Sequence, residues 1–318
     1  MRTIGFVVSH KENERRRALL PGDLQEVRHT GALRFEEGYG VVLGFPDEAY
    51  VEMGAEIVSK AEAYRQDVVC ALKTPSPARR GLFGKRQTMF GWIHAVQGRS
   101  ITDFLLEREM TGIAWEDMFE DGRHCFWRNN EIAGEAAVMH SACFIGRLPQ
   151  ECKAAVIGRG NCARGAYKAL ARLGADVRVY DRKTVHKLPG EIGQFDIVAN
   201  AVLWDVFCAG HLICRDDLAR MKPGSIIVDI SCDRGMGVET GRPTTIENPV
   251  YVVDGILHYA VDHTPALFYR SASESISAVV CRYVDQLAEN NVGPVLEQAT
   301  VIRDGAIIDE RISLFQKR

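Results

Sequence analysis

The stretch that decides the fold is Ala154–Asp181, AAVIGRGNCARGAYKALARLGADVRVYD. It opens on a short apolar strand pattern, AAVIG, and passes through Gly158-Arg159-Gly160-Asn161-Cys162-Ala163. A helical pattern follows over Cys162–Leu173, and a second strand, DVRVYD, ends on Asp181. This is the G-x-G-x-x-G/A pattern in the context it requires, with a strand before it and a helix after it. Gly158 permits the tight turn, Gly160 lets backbone approach a pyrophosphate, and Ala163 is small enough for helix and strand to pack. Asn161 opens the helix, whose N-terminal N–H groups and partial positive charge suit an anion. Asp181 stands twenty-three positions after Gly158, where a carboxylate can accept hydrogen bonds from ribose hydroxyls. A merely structural glycine turn is the alternative, and the ordered strand, turn, helix, strand and acid argue against it. The cofactor choice stays open. Asp181 repels a 2′-phosphate and favours NADH, while Arg182 and Lys183 can neutralise one and favour NADPH.

Outward from this stretch, strand and helix patterns alternate along the whole chain. Strands are expected at Thr3–Val8, Val68–Lys73, Thr88–Ile93 and Thr111–Trp115, with helices at Gly22–His29, near Lys60–Arg65 and at Thr102–Arg108. The run from Asn130 to Gly146 is rich in small apolar residues and reads as a buried helix. FDIVANAV, SIIVDIS and VYVVDGI read as further strands of the kind seen in AAVIG. Ser273–Glu289 reads as a long helix, and VIRDGAIIDERI as a hairpin around Asp304-Gly305. Such alternation indicates an α/β fold, with parallel sheets covered by helices.

The chain has 318 residues, 46% hydrophobic and 25% charged, which suits two soluble domains. Forty-two acidic and 39 basic side chains leave a net charge of −3, with no basic excess to bind nucleic acid. No apolar run reaches the roughly 20 residues of a membrane span. The nine cysteines are scattered without a CxxC pair, as expected of a reduced, cytoplasmic protein. Cys208, His211 and Cys214 are three potential metal ligands in an apolar setting, FCAGHLIC, and are read as packing residues, so no metal is expected.

Several further motifs give the chain a resemblance. They are NERRRALLP (13–21), ALKTP (71–75), GWIHAVQ (91–97), DISCD (229–233) and RPTT (242–245), joined by WEDMFEDGRH (115–124) and VDHTP (261–265). On these the chain resembles the alanine dehydrogenase/transhydrogenase N-terminal-domain family, which also includes fungal-type saccharopine dehydrogenases. The resemblance implies two lobes: a discontinuous substrate domain at 1–129 with 290–318, and a Rossmann domain at 130–289. It implies an opine-type NAD(P)H-dependent condensation of pyruvate with the side-chain amine of ornithine or lysine, in a homo-oligomer, with NADPH as the reductant. Alanine dehydrogenase chemistry, saccharopine-type chemistry and a non-catalytic dinucleotide sensor are the alternatives.

The resemblance also suggests roles for individual residues. Arg16 is expected to grip the 2-oxo acid carboxylate through its planar fork, with Arg15 and Arg17 as neighbours that a basic surface would equally explain. Lys73, at a strand end, would polarise the 2-oxo group or hold the carboxylate. His94 would be the acid/base, because an imidazole gives and takes protons near neutral pH. Asp233 would orient the nicotinamide or help move protons, although Arg234-Gly235-Met236-Gly237 replaces the family's shorter turn. Val202, Leu203, Ser231, Val261, His263 and Thr264 would line the cofactor. The acidic run Glu116, Asp117, Glu120, Asp121 would meet the ammonium of a diamino acid, and a solvated acidic loop is the alternative.

Overall fold

The computed structural model describes residues 1–205, 208 and 210–318, and it divides the chain into two units. Unit one joins Met1–Trp127 to Tyr269–Arg318, and unit two is Arg128–Phe268.

Unit one is built on an eight-stranded sheet. Its spatial order is Ala306–Ile307, Thr300–Arg303, Thr111–Ala114, Thr88–Trp92, Val68–Lys73, Ile4–Phe6, Leu33–Glu36, Glu56–Val58. The six strands of the N-terminal segment run parallel, and the C-terminal hairpin adds Thr300–Arg303 antiparallel to Thr111–Ala114 and Ala306–Ile307 antiparallel to Thr300–Arg303. Val68–Lys73 is apolar at successive positions and buried at five of six, as a strand covered on both faces must be. From Ile4–Phe6 the chain moves outward to two strands on one side, then returns to Val68–Lys73 on the other. The gap between the carboxyl ends of these two central strands is therefore a topological switch point, where open α/β sheets bind ligands.

Some elements differ from the sequence reading. Leu33–Glu36, which alternates over only four residues (LRFE), and the three-residue Glu56–Val58 are strands beyond those expected from sequence. Residues expected as the helix Gly22–His29 form a 3-10 helix at Pro21–Glu26, and Trp115 leaves its strand to begin a 3-10 turn. The long helix starts at Tyr269 and belongs to unit one, whereas the expected Rossmann domain ran on to 289. The reason is its apolar stripe. Ile276, Val280, Val284 and Leu287 pack into the core that holds Ile4, Leu19, Leu24 and Phe35. The expected tail hairpin forms, with Asp304 and Gly305 both at positive φ.

Unit two is a Rossmann fold with strand order Asp176–Tyr180, Lys153–Ile157, Ile197–Asn200, Ile226–Asp229, Ile256–Tyr259, Val250–Val253. The first five are parallel. VYVVDGI is not a single parallel strand. Asp254 and Gly255 take φ of 49° and 82°, and this two-residue turn folds Val250–Val253 back as an antiparallel edge. The switch point lies beside Lys153–Ile157, whose neighbours lead away on opposite sides. Helices Trp127–Ser141 and Asn161–Arg172 meet closely: a Cβ on Gly165 would lie 1.9 Å from the Glu131 carbonyl oxygen, and one on Gly134 2.0 Å from that of Cys162. Among the described residues no helix is long and apolar enough to cross a membrane.

Candidate active site

At the switch point of unit one, the loop after Ile4–Phe6 carries Arg16 and the strand end carries Lys73. Arg16 is buried. Its Nε donates to Glu14 Oε1 at 2.8 Å and its Nη2 to Oε2 at 2.5 Å, a two-pronged pair inside the protein. The guanidinium also lies 5.3 Å from the Trp92 ring centre. Burial pushes the Glu14 carboxyl up, but Arg16 and then Lys73 outweigh it, and the net direction is down. Glu14, Arg16 and Lys73 thus form one electrostatic group with two cations and one anion. Glu14 is not among the residues expected from sequence; the signal is its place two residues before Arg16, within reach of the guanidinium.

The neighbouring arginines go elsewhere. Arg17 is buried, donating from its backbone N–H to Ser273 Oγ and from Nε to the Tyr39 carbonyl. Arg15 is exposed over the Tyr269 ring.

His94 follows strand Thr88–Trp92, in register with Val68–Lys73 on one side and Thr111–Ala114 on the other. Its φ is 51°, a left-handed conformation that costs energy outside glycine. Glu116 holds it there. One carboxylate oxygen accepts the His94 N–H at 2.5 Å, the other accepts the Ile93 N–H at 3.2 Å, and the His94 Nδ1 lies 3.9 Å from the first. The next residues are pinned as well. The Ala95 carbonyl accepts from Thr102 Oγ1 and from Gln316 Nε2 of the C-terminal helix Glu310–Gln316. A strained histidine fixed by three other segments, with over half its side chain exposed, suits an acid/base held in one orientation.

The acidic run separates in the fold. Glu116 faces His94; Asp117 pairs with Arg311 at 2.9 Å and Glu120 with Arg282 at 2.5 Å. Asp121 takes φ of 49° in a tight hairpin turn. Burial pushes the Asp117 carboxyl up despite Arg311.

In unit two the glycine turn is formed as its sequence requires. Gly158 has φ of 112°, and a Cβ there would meet the Ala201 carbonyl oxygen at 3.1 Å. A Cβ on Gly160 would meet nothing within 4 Å, so the space that a pyrophosphate needs is open. Gly160 also caps helix Asn161–Arg172 without a side-chain hydrogen bond, leaving the helix N-terminus to an anion. Ala163 is buried between helix and sheet. These residues fit a dinucleotide.

Other expected cofactor positions gather at the same carboxyl edge. Ser231 Oγ donates to the Val202 carbonyl at 2.5 Å, tying together the loops after Ile197–Asn200 and Ile226–Asp229. Leu203 beside it is exposed. Val261, His263 and Thr264 are buried; His263 Nδ1 lies 2.8 Å from Asp262 Oδ1, and Thr264 Oγ1 donates to the Ala133 carbonyl. Burial pushes the Asp233 carboxyl up. Asp229 is pushed by burial to about 6, although Asn200 Nδ2 donates to it at 2.9 Å.

Cys208 and Cys214 are exposed, and His211 Nδ1 lies 2.6 Å from the Met236 carbonyl oxygen. Phe207 and Ala209 of that segment lie outside the described residues. Among the described residues no three potential ligands gather around a metal position.

Two α/β units, one of them a Rossmann fold with an open glycine turn, define a dinucleotide-binding class of protein. Residues 7–126 match the family model "Alanine dehydrogenase/PNT, N-terminal domain", and residues 182–312 match "Alanine dehydrogenase/PNT, C-terminal domain". The chain belongs to the alanine dehydrogenase/PNT family, and it is an oxidoreductase. An N(5)-(carboxyethyl)ornithine synthase of Clostridium botulinum is 30% identical over 298 residues, covering 88% of this chain and 93% of the relative. An alanine dehydrogenase of Bacillus subtilis is 29% identical over 340 residues, covering 95% and 90%. Among solved structures, an L-alanine dehydrogenase superposes with a TM-score of 0.84 at 25% identity, covering 99% of each chain. A transhydrogenase from Sinorhizobium meliloti shares the fold with a TM-score of 0.80 at 20% identity, covering 96% of this chain and 100% of the other.

Proposed function

We propose that the protein reduces the condensation product of pyruvate and the side-chain amine of ornithine or lysine, giving an N-(carboxyethyl) amino acid. The observation that carries this reading is the grouping of Glu14, Arg16, Lys73, Trp92, His94 and Glu116 at the carboxyl edge of the first sheet. Similarity to carboxyethylornithine synthases supports the choice of amine. A bound nicotinamide supplies the hydride, with NADPH the reductant to which the resemblance points and NADH the alternative that Asp181 leaves open.

The rest follows from side chains. The group formed by Glu14, Arg16 and Lys73 carries one net positive charge, which matches the single negative charge of a 2-oxo acid. Glu14 occupies the Nε and Nη2 of Arg16, and Lys73 adds a second cation beside the pair for the substrate carboxylate or its 2-oxo oxygen. His94 takes a proton from the attacking amine and returns one to the departing hydroxyl, so that water leaves. Glu116 fixes the histidine for both transfers. Assembly as a homo-oligomer is part of the same proposal.

One observation favours a second reading. Asp117 and Glu120, expected to receive the ammonium of a diamino acid, are already paired with Arg311 and Arg282. That favours alanine dehydrogenase chemistry, in which ammonia replaces the diamine. Cofactor oxidation at 340 nm with pyruvate and ammonia, ornithine, lysine or glutamate separates the two. Oxidation with ornithine or lysine, and none with ammonia, is the expected result; turnover with ammonia alone would establish the second reading.

A further inference from the structure

The expected ribose acid, Asp181, has both its oxygens engaged. Oδ1 accepts from the Lys183 N–H at 3.0 Å, the Thr184 N–H at 3.1 Å and the Thr184 hydroxyl at 2.9 Å. Oδ2 pairs with Arg159 Nη2 at 3.1 Å. Arg159 is the residue between the two glycines of the turn. It reaches Asp181 because strands Lys153–Ile157 and Asp176–Tyr180 are parallel neighbours, so their terminal loops lie side by side. The Gly158 N–H, donating to the Tyr180 carbonyl at 2.8 Å, locks one loop against the other.

Oδ1 already accepts three donors, so a ribose hydroxyl would have to share Oδ2 with the Arg159 guanidinium. Arg159 is under no such constraint. Its side chain is 73% exposed, and a guanidinium has donors left for a second anion beside the carboxylate that tethers it. Arg182 and Lys183 are exposed on the adjoining turn. The three cations outnumber the one carboxylate by two charges, about the charge of a phosphate monoester at neutral pH. A bare ribose hydroxyl would leave that charge unmatched.

We infer that this corner of the Rossmann unit is a receptor for the adenosine 2′-phosphate of NADPH, with Arg159 as the residue that determines cofactor specificity and Asp181 as its tether. The inference rests on the dinucleotide reading of the unit. It shifts the discriminating role from Arg182 and Lys183 to the glycine turn itself.

Calorimetric titration of the full chain with 2′,5′-ADP and with 5′-AMP tests it without any turnover. The wild type is expected to bind 2′,5′-ADP at least about tenfold more tightly. Arg159→Ala should lose about tenfold or more for 2′,5′-ADP, change by less than about twofold for 5′-AMP, and be partly rescued by Arg159→Lys. Equal binding of the two nucleotides by the wild type would overturn the inference. So would an Arg159→Ala variant with an unchanged ratio, or one that weakens both ligands alike. If neither nucleotide binds, and neither NADPH nor NADH quenches tryptophan fluorescence, the dinucleotide reading itself has failed.

Discussion

Three side chains test the site at the scale of single residues. His94→Ala should bind the dinucleotide as the wild type does and lose about 10²–10⁴-fold in turnover, the usual contribution of a positioned acid/base. Fluorescence titration beside steady-state rates checks this, and unchanged turnover would remove His94 from the chemistry. Arg16→Ala should raise the Michaelis constant for pyruvate and leave nucleotide affinity unchanged. It should also cost about 3–5 kcal/mol of stability, because Glu14 would stay buried without its main partner. The Glu14→Gln/Arg16→Met double variant should recover most of that loss in a denaturant melt. Asp229 makes a prediction about pH. Its folded pKa of about 6 lies above the unfolded value near 3.9, so between those values the folded state holds the extra proton. The contribution of Asp229 to stability should therefore fall as pH rises from about 4 to about 6 and stay reduced above, by about 3 kcal/mol in all. Asp229→Asn should abolish that slope; an identical slope in the variant would place its source elsewhere.

Among the elements, the helix pair Trp127–Ser141 and Asn161–Arg172 shows how sequence and packing divide the work. The intrinsic propensity of an exposed helix favours alanine over glycine by about 1 kcal/mol. At Gly165 the opposite is expected, because the new methyl group would stand 1.9 Å from the Glu131 carbonyl oxygen. Gly165→Ala should force the helices apart and destabilise the protein by about 2 kcal/mol or more, seen as a lower melting temperature. A neutral or raised melting temperature would show that the crossing relaxes freely. The strands were readable to different degrees. Val68–Lys73 and Lys153–Ile157 are nearly continuous apolar runs, and their burial follows directly. Glu56–Val58 is an edge strand of three residues, too short to show a pattern, and Leu33–Glu36 beside it alternates over only four. In VYVVDGI the turn signal Asp254-Gly255 was present in the sequence but was read through as strand.

For the molecule as a whole, unit two is one continuous segment, whereas unit one needs both ends of the chain. The fragment 128–268 should therefore fold cooperatively and bind 2′,5′-ADP, as circular dichroism melting and calorimetry would show. A fragment ending at residue 268 should leave unit one without Ile276, Val280, Val284 and Leu287 in its core, and it should aggregate or stay unfolded. The glycine turn and the parallel α/β class were legible from sequence, because each depends on local chemistry: a turn that only glycine permits, or an apolar run long enough to be a strand covered on both faces. Arg16, Lys73 and His94 were singled out by the family resemblance of the motifs that hold them. The partners of those residues were not legible. Glu116 reaches the His94 backbone from the turn after the next strand, Gln316 reaches Ala95 from more than two hundred residues away, and Arg159 meets Asp181 between the ends of two parallel strands. Such contacts depend on strand order and register, which are set by how apolar faces close on one another over the whole chain, and only the tertiary structure decides them.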